Sequence, residues 1–151
     1  DFEPFFSVEK LVKSLKNFGG IFNFSQIKRI KIMSYPVSFI FLVKKHWISV
    51  FISRKTVEVM DSAGFLGLKN LDNELRRFLR NQIFNKKLVA TPRLQSEQSN
   101  ACGLYAISFL YYKNMTSGSL CDFCSIFTSD KTLNCAIIGK LYDEILAMNE
   151  T

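Results

Sequence analysis

The chain of 151 residues has one histidine, one tryptophan and three prolines. With a single imidazole, all histidine chemistry falls on His46. No apolar stretch reaches the ~18 residues that a membrane-spanning helix needs. The longest runs break at Lys44-Lys45 and at Lys113, so no membrane partner is expected. Asp1-Phe2-Glu3-Pro4 has neither the basic nor the apolar region of a secretory signal, and an intracellular, reducing location is the expectation. Internal repeats, low-complexity tracts and Pro/Gly-rich linkers are also missing. That argues for one domain over residues 1–151.

Hydrophobic residues make up 48% of the chain and fifteen residues are Phe, a composition that leaves little room for disorder. A chain of this length buries roughly 70% of its unfolded surface. The net charge is +7, with basic clusters at Lys28-Arg29-Ile30-Lys31, Lys44-Lys45, Arg76-Arg77, Arg80 and Lys86-Lys87. These are either ordinary solvated side chains or a face for a polyanion. No motif interleaves aromatic and basic residues, so any DNA binding would run through phosphates and weaken with salt.

The cysteines are Cys102, Cys121, Cys124 and Cys135. Cys121-Asp122-Phe123-Cys124 has the spacing of metal and redox motifs. A zinc site needs four ligands, and with Cys102 set aside only Cys135 and the distant His46 remain. A thioredoxin-type motif would open a helix after a strand, whereas this one lies between helical segments. Core or half-exposed thiols and no metal are therefore expected. The sequons at Asn114 and Asn149 read as accidental in an intracellular protein.

The spacing of Val8, Leu11, Val12 and Leu15 predicts a first helix capped by Ser7 and stopped by Gly19-Gly20. Short β-branched and aromatic runs then predict strands at Ile30–Met33, Val37–Val43, Trp47–Ile52 and Thr56–Met60, the last two joined by Ser53-Arg54-Lys55. A second helix, capped by Asn70, carries Leu71, Leu75, Phe78 and Leu79 on one face and Arg76, Arg77 and Arg80 on another. Leu88-Val89-Ala90 reads as one more strand. Helices follow at Cys102–Lys113, Ser119–Phe127 and Thr132–Met148. A block of strands followed by helices gives an α+β class, with a mixed central sheet flanked by helices.

His46 and Asp61 fall at the two ends of the predicted hairpin, where a two-stranded ladder sets them side by side. A carboxylate there can bond one imidazole nitrogen, fix the tautomer and leave the other nitrogen to a thiol. Cys102 opens a run that is apolar on nearly all sides, which predicts a buried helix. The partial positive charge of the helix N-terminus stabilises a thiolate, and a neighbouring imidazolium does so further. A small buried core cysteine is the ordinary alternative. Gly103, which permits close approach, fits a crowded site better. Gln95, seven residues before Cys102, could donate its amide to a developing oxyanion beside the Cys102 N–H. Gln98 is a rival, and surface-loop glutamine is the ordinary reading of both. Trp47 either walls the site beside His46 or belongs to the core.

These residues resemble the adenovirus-type cysteine proteases (adenain), a group related to the SUMO/NEDD-specific proteases. The resemblance rests on His46-Trp47, on Asp61-Ser62-Ala63-Gly64-Phe65, and on Gln95 through Ser99-Asn100-Ala101-Cys102-Gly103-Leu104-Tyr105. The seven-residue step from Gln95 to Cys102 is adenain-like and one longer than is usual in SUMO proteases. Phe127-Thr128-Ser129-Asp130 with Leu133-Asn134 is similar to adenain-like proteases of Polinton/Maverick elements and adintoviruses. The resemblance implies a cysteine-protease fold with the nucleophile at the start of a buried central helix. It makes His46 the general base, Asp61 its orienting acid, Gln95 part of the oxyanion hole and Cys102 the nucleophile.

It further implies a thiol endopeptidase that needs no cofactor and cleaves after Gly-Gly or Gly-x-Gly in capsid precursors. Its setting would be the virion and the host nucleus or cytoplasm, with stimulation by DNA or a viral peptide. Adenovirus enzymes mostly carry Glu where this chain has Asp61, on a hairpin two residues longer. No cysteine occurs between residues 80 and 95, where a peptide-linking thiol would lie, which puts a covalent activator in doubt. The expectation is thus a monomeric thiol endopeptidase. The alternatives are an isopeptidase removing ubiquitin or SUMO, and a non-catalytic, basic DNA-binding scaffold.

Overall fold

A computed structural model describes residues 5–43, 45–65, 71–96 and 101–150. Five strands form one sheet in chain order: β1 (Phe18–Asn23), β2 (Val37–Val43), β3 (His46–Ile52), β4 (Thr56–Met60) and β5 (Lys87–Ala90). β2, β3 and β4 are antiparallel neighbours, while the outer strands β1 and β5 run parallel to β2 and β4. The helices are α1 (Phe5–Val12), α2 (Asn73–Gln82), α3 (Cys102–Met115), α4 (Leu120–Cys124) and α5 (Lys131–Met148). The α+β class with a mixed sheet is therefore the observed one.

Alternation along the strands divides the core in two. Phe39, Phe41, Ile48, Val50, Ile52, Val57 and Val59 face one side, closed by Leu75 and Leu79 of α2 and by Ile27. Ile40, Trp47 and Met60 belong to the other side, against α1, α3, α4 and α5. α3 packs between β3 and α5 and buries Cys102, Gly103 and every residue from Tyr105 to Tyr111. Its far end is tied to β4. Lys113 Nζ lies 2.8 Å from Glu58 Oε1, and the Leu120 N–H donates to Glu58 Oε2 at 2.6 Å. A buried carboxylate with two such partners fixes the helix relative to the sheet.

Four expectations change. The first helix spans Phe5–Val12, so it includes Ser7 and ends before Leu15. Gly19-Gly20 does not stop that helix but lies inside β1. A Cβ on Gly19 would come within 2.4 Å of the Phe39 ring, and Gly20 has φ +132°, so both positions need glycine for a kinked strand that hugs its neighbour. Ile30–Met33 is not a strand. Asn23 and Gln26 form a capping box for a 3-10 turn over Phe24–Arg29, and β1 already occupies the edge of β2. The cap of α2 is Asp72, whose side chain accepts from the Glu74 N–H; Asn70 lies outside the described residues.

Candidate active site

β3 begins at His46 and β4 ends at Met60. The pairing of Ser49 with Met60, carried one residue further, sets Asp61 beside Ile48. The carboxylate reaches back along the strand, and its Oδ1 lies 2.6 Å from His46 Nε2. The same oxygen accepts the Ala63 N–H at 3.2 Å, which holds the carboxylate in place. His46 is 28% exposed and the Asp61 side chain 10%, so the pair sits at a rim open to a substrate on the histidine side.

α3 delivers Cys102 to the same rim. Ala101 at its N-cap supplies no side-chain oxygen, and the thiol occupies the first helical position. The Trp47 N–H donates to Cys102 Sγ at 3.4 Å, and His46 lies near enough to the thiol to lower its pKa. Since Nε2 is engaged by Asp61, Nδ1 is the nitrogen that serves the thiol.

The electrostatics follow from these contacts. The Asp61 hydrogen bond, then the Cys102 hydrogen bond, raise His46 from 6.5 to about 10 against the opposing effect of burial. Burial on its own would raise the Cys102 thiol. The hydrogen bond from His46 and those from the Trp47 and Gly103 backbones outweigh it, and the thiol titrates below its ordinary value. Such an arrangement can hold a thiolate beside an imidazolium, the pair needed for attack on a carbonyl followed by protonation of a leaving amine.

Gln95 lies on the chain that leaves β5 and is tied to the residue after Asp61. Its side chain is buried, and its Oε1 accepts from the Ser62 hydroxyl. The Ser62 carbonyl accepts the N–H groups of Leu94 (2.8 Å) and Gln95 (3.1 Å). Thr91 Oγ1 accepts the Asp61 N–H at 2.9 Å and donates to the Asp61 carbonyl at 2.6 Å. Residues 61–62 and 91–95 are thereby one hydrogen-bonded unit. Asn134 secures it from the helical side. Its Nδ2 donates to the carbonyls of Leu94 (3.0 Å) and Thr128 (2.9 Å), and its Oδ1 accepts the Thr128 N–H at 2.7 Å. Gln98 lies outside the described residues.

Trp47 is buried in the helical-side core, and it is its backbone that touches the thiol. No side-chain pattern could have revealed that contact. The contacts of Ser62 and Thr91 were equally invisible: Ser62 entered only as part of the Asp61–Phe65 motif, and Thr91 only follows the predicted strand Leu88-Val89-Ala90. Asn134 had a weak signal, as an asparagine within an apolar helical repeat. All four cysteines are free thiols, with Cys121 and Cys135 exposed. Among the described residues no group of three or more His, Cys, Asp or Glu side chains comes together to hold a metal, and no helix is long and apolar enough to cross a membrane.

The sequence matches no protein-family model and no curated protein. The fold is similar to the structure of ChlaDub1 from Chlamydia trachomatis, with TM-score 0.49 and 16% identity over 68% of this chain and 47% of that one. It is similar to the ASFV pS273R protease, with TM-score 0.47 and 17% identity over 78% of this chain and 57% of that one. A de-sumoylating protease aligns with TM-score 0.43 and 14% identity, covering 92% of this chain and 70% of that one. The chain thus spans about half the length of the first two.

Proposed function

We propose that the chain is a cysteine peptidase in which Cys102 is the nucleophile, His46 the acid–base, Asp61 its orienting acid and Gln95 an oxyanion donor. One observation carries the reading. A buried thiol at the start of a central helix meets an imidazole that a carboxylate grips at 2.6 Å. Those contacts reverse the effect of burial on the thiol. A core cysteine requires none of this.

In the proposed cycle, the Cys102 proton rests on His46 Nδ1 and the Nε2–H donates to Asp61. The thiolate forms a bond to the substrate carbonyl carbon, and the oxyanion takes hydrogen bonds from the Cys102 N–H and the Gln95 amide. Collapse breaks the C–N bond as His46 gives its proton to the departing amine. Water, deprotonated by His46, then opens the thioester and restores the thiol. The expected substrates carry small residues before the scissile bond, of Gly-Gly or Gly-x-Gly type. Capsid precursors are the proposed natural targets, and stimulation by DNA is a further proposal that rests on the +7 charge.

The test is turnover of a fluorogenic Leu-x-Gly-Gly amide by the parent protein and by Cys102→Ala, with and without DNA, beside intact ubiquitin and SUMO fusions. Turnover by the parent, lost on the order of 10⁴-fold or more in the variant, supports the assignment. Cleavage of the fusions in preference to the peptide would move the substrate class to ubiquitin-like modifiers. No turnover in any arm, with salt-dependent DNA binding retained, would replace the peptidase by a scaffold.

A further inference from the structure

Ser62 follows Asp61 directly, is 1% exposed, and makes three hydrogen bonds to the segment that carries Gln95. Two run to its carbonyl from the Leu94 and Gln95 N–H groups and fix the backbone. The third runs from its hydroxyl to Gln95 Oε1 and concerns only the side chain. A primary amide has an accepting end and a donating end of nearly the same shape, so its rotation by half a turn changes its chemistry without changing its volume. An oxyanion needs the donating end. With the oxygen held by Ser62, the end that Gln95 turns elsewhere is the NH₂.

We infer that Ser62 is a positioning residue which, through its hydroxyl, sets the Gln95 amide with its nitrogen toward the oxyanion. This rests on the proposed roles of Cys102 and Gln95 and goes beyond them. Ser62 touches no reacting atom; it acts through Gln95 alone. The adjacency of Ser62 to Asp61 also has a consequence for assembly of the site. Of two consecutive residues, Asp61 bonds the imidazole and Ser62 bonds the Gln95 amide, so the proposed base and oxyanion donor share a single backbone anchor. The Thr91 hydroxyl, bonded to both the N–H and the carbonyl of Asp61, locks that anchor to the strand end leading to Gln95.

The experiment compares the parent, Ser62→Ala, Gln95→Ala and the double variant, using kcat and KM on the Gly-Gly amide and the rate of Cys102 alkylation by iodoacetamide. Alkylation needs the thiolate but no oxyanion hole, so it separates the two halves of the site. Gln95→Ala should lose about 10²-fold in kcat. Ser62→Ala should lose about tenfold in kcat, in keeping with one misdirected hydrogen bond, with KM and alkylation at parent values. In the Gln95→Ala background, Ser62→Ala should cost nothing further. Should Ser62→Ala fail to fold, Ser62→Cys keeps a side-chain donor, a weaker and somewhat larger one, and should fall short of the parent in kcat, again with no effect in the Gln95→Ala background. Parent-level kcat in these Ser62 variants, an equal loss in the Gln95→Ala background, or slowed alkylation in Ser62→Ala would each overturn the inference while leaving the peptidase standing. A parent protein without turnover would overturn both.

Discussion

Cys102 and Cys124 sit in neighbouring helices, α3 and α4, and Cys102 is the more buried of the two. Yet their thiols move in opposite directions. Burial pushes Cys124 up to about 11, and the nearby Cys121 and Glu58 add to the effect. Burial acts on Cys102 in the same sense, but His46, the Trp47 N–H and the Gly103 N–H overcome it. Position on the helix contributes to the contrast. Cys102 opens α3, where N–H groups point outward, while Cys124 closes α4, where carbonyls do. A low dielectric therefore does not make a cysteine inert. It magnifies whatever charges and dipoles surround the sulfur.

The sharpest way to break the contrast is to remove the imidazole. His46→Ala should slow Cys102 alkylation near neutral pH by roughly 10²-fold, to the slow class that Cys124 occupies, and abolish turnover. Peptide mapping of the alkylated sites checks this. A His46→Ala protein in which Cys102 still reacts far faster than Cys124 would shift the credit to the helix terminus and the Trp47 N–H.

A smaller change should sharpen the comparison rather than erase it. Asp61→Asn removes the largest cause of the elevated His46 value. The alkaline limb of kcat against pH should then move down from about 10 toward 6.5, with a fall in rate at neutral pH. The sign follows from which form is needed: the leaving amine takes its proton from His46, so activity fails once His46 is neutral. Stability follows the same linkage. His46 is raised above its ordinary value on folding, so its contribution is complete below about 6.5 and is lost as the pH climbs through about 10. An unmoved alkaline limb in Asp61→Asn would mean that the limb belongs to another group.

The Val37–Met60 strands were legible because each alternates residues for two buried faces, and their ends brought His46 and Asp61 to one rim. The buried helix starting at Cys102 was legible for a similar reason, since it is apolar on every side. Gly19-Gly20 misled because glycine stops helices and also permits a kinked strand. Only the position of the Phe39 ring decides between the two. Ile30–Met33 has strand composition, but β1 already holds the edge of β2. What escaped the sequence altogether were contacts between distant residues: Ser62 with Gln95, Asn134 with Leu94, and Glu58 with Lys113. Polar pairs of this kind follow no period, and each depends on the fold having already brought its partners together.

The most direct test of the account is the pH dependence of iodoacetamide labelling at Cys102 and Cys124 in the same folded sample, read by peptide mass mapping. Cys102 should label through a transition below the ordinary thiol value, and Cys124 only as the pH approaches about 11. Coincident curves for the two sites would contradict it, because the contacts of His46 and Trp47 would then do nothing for the sulfur they touch.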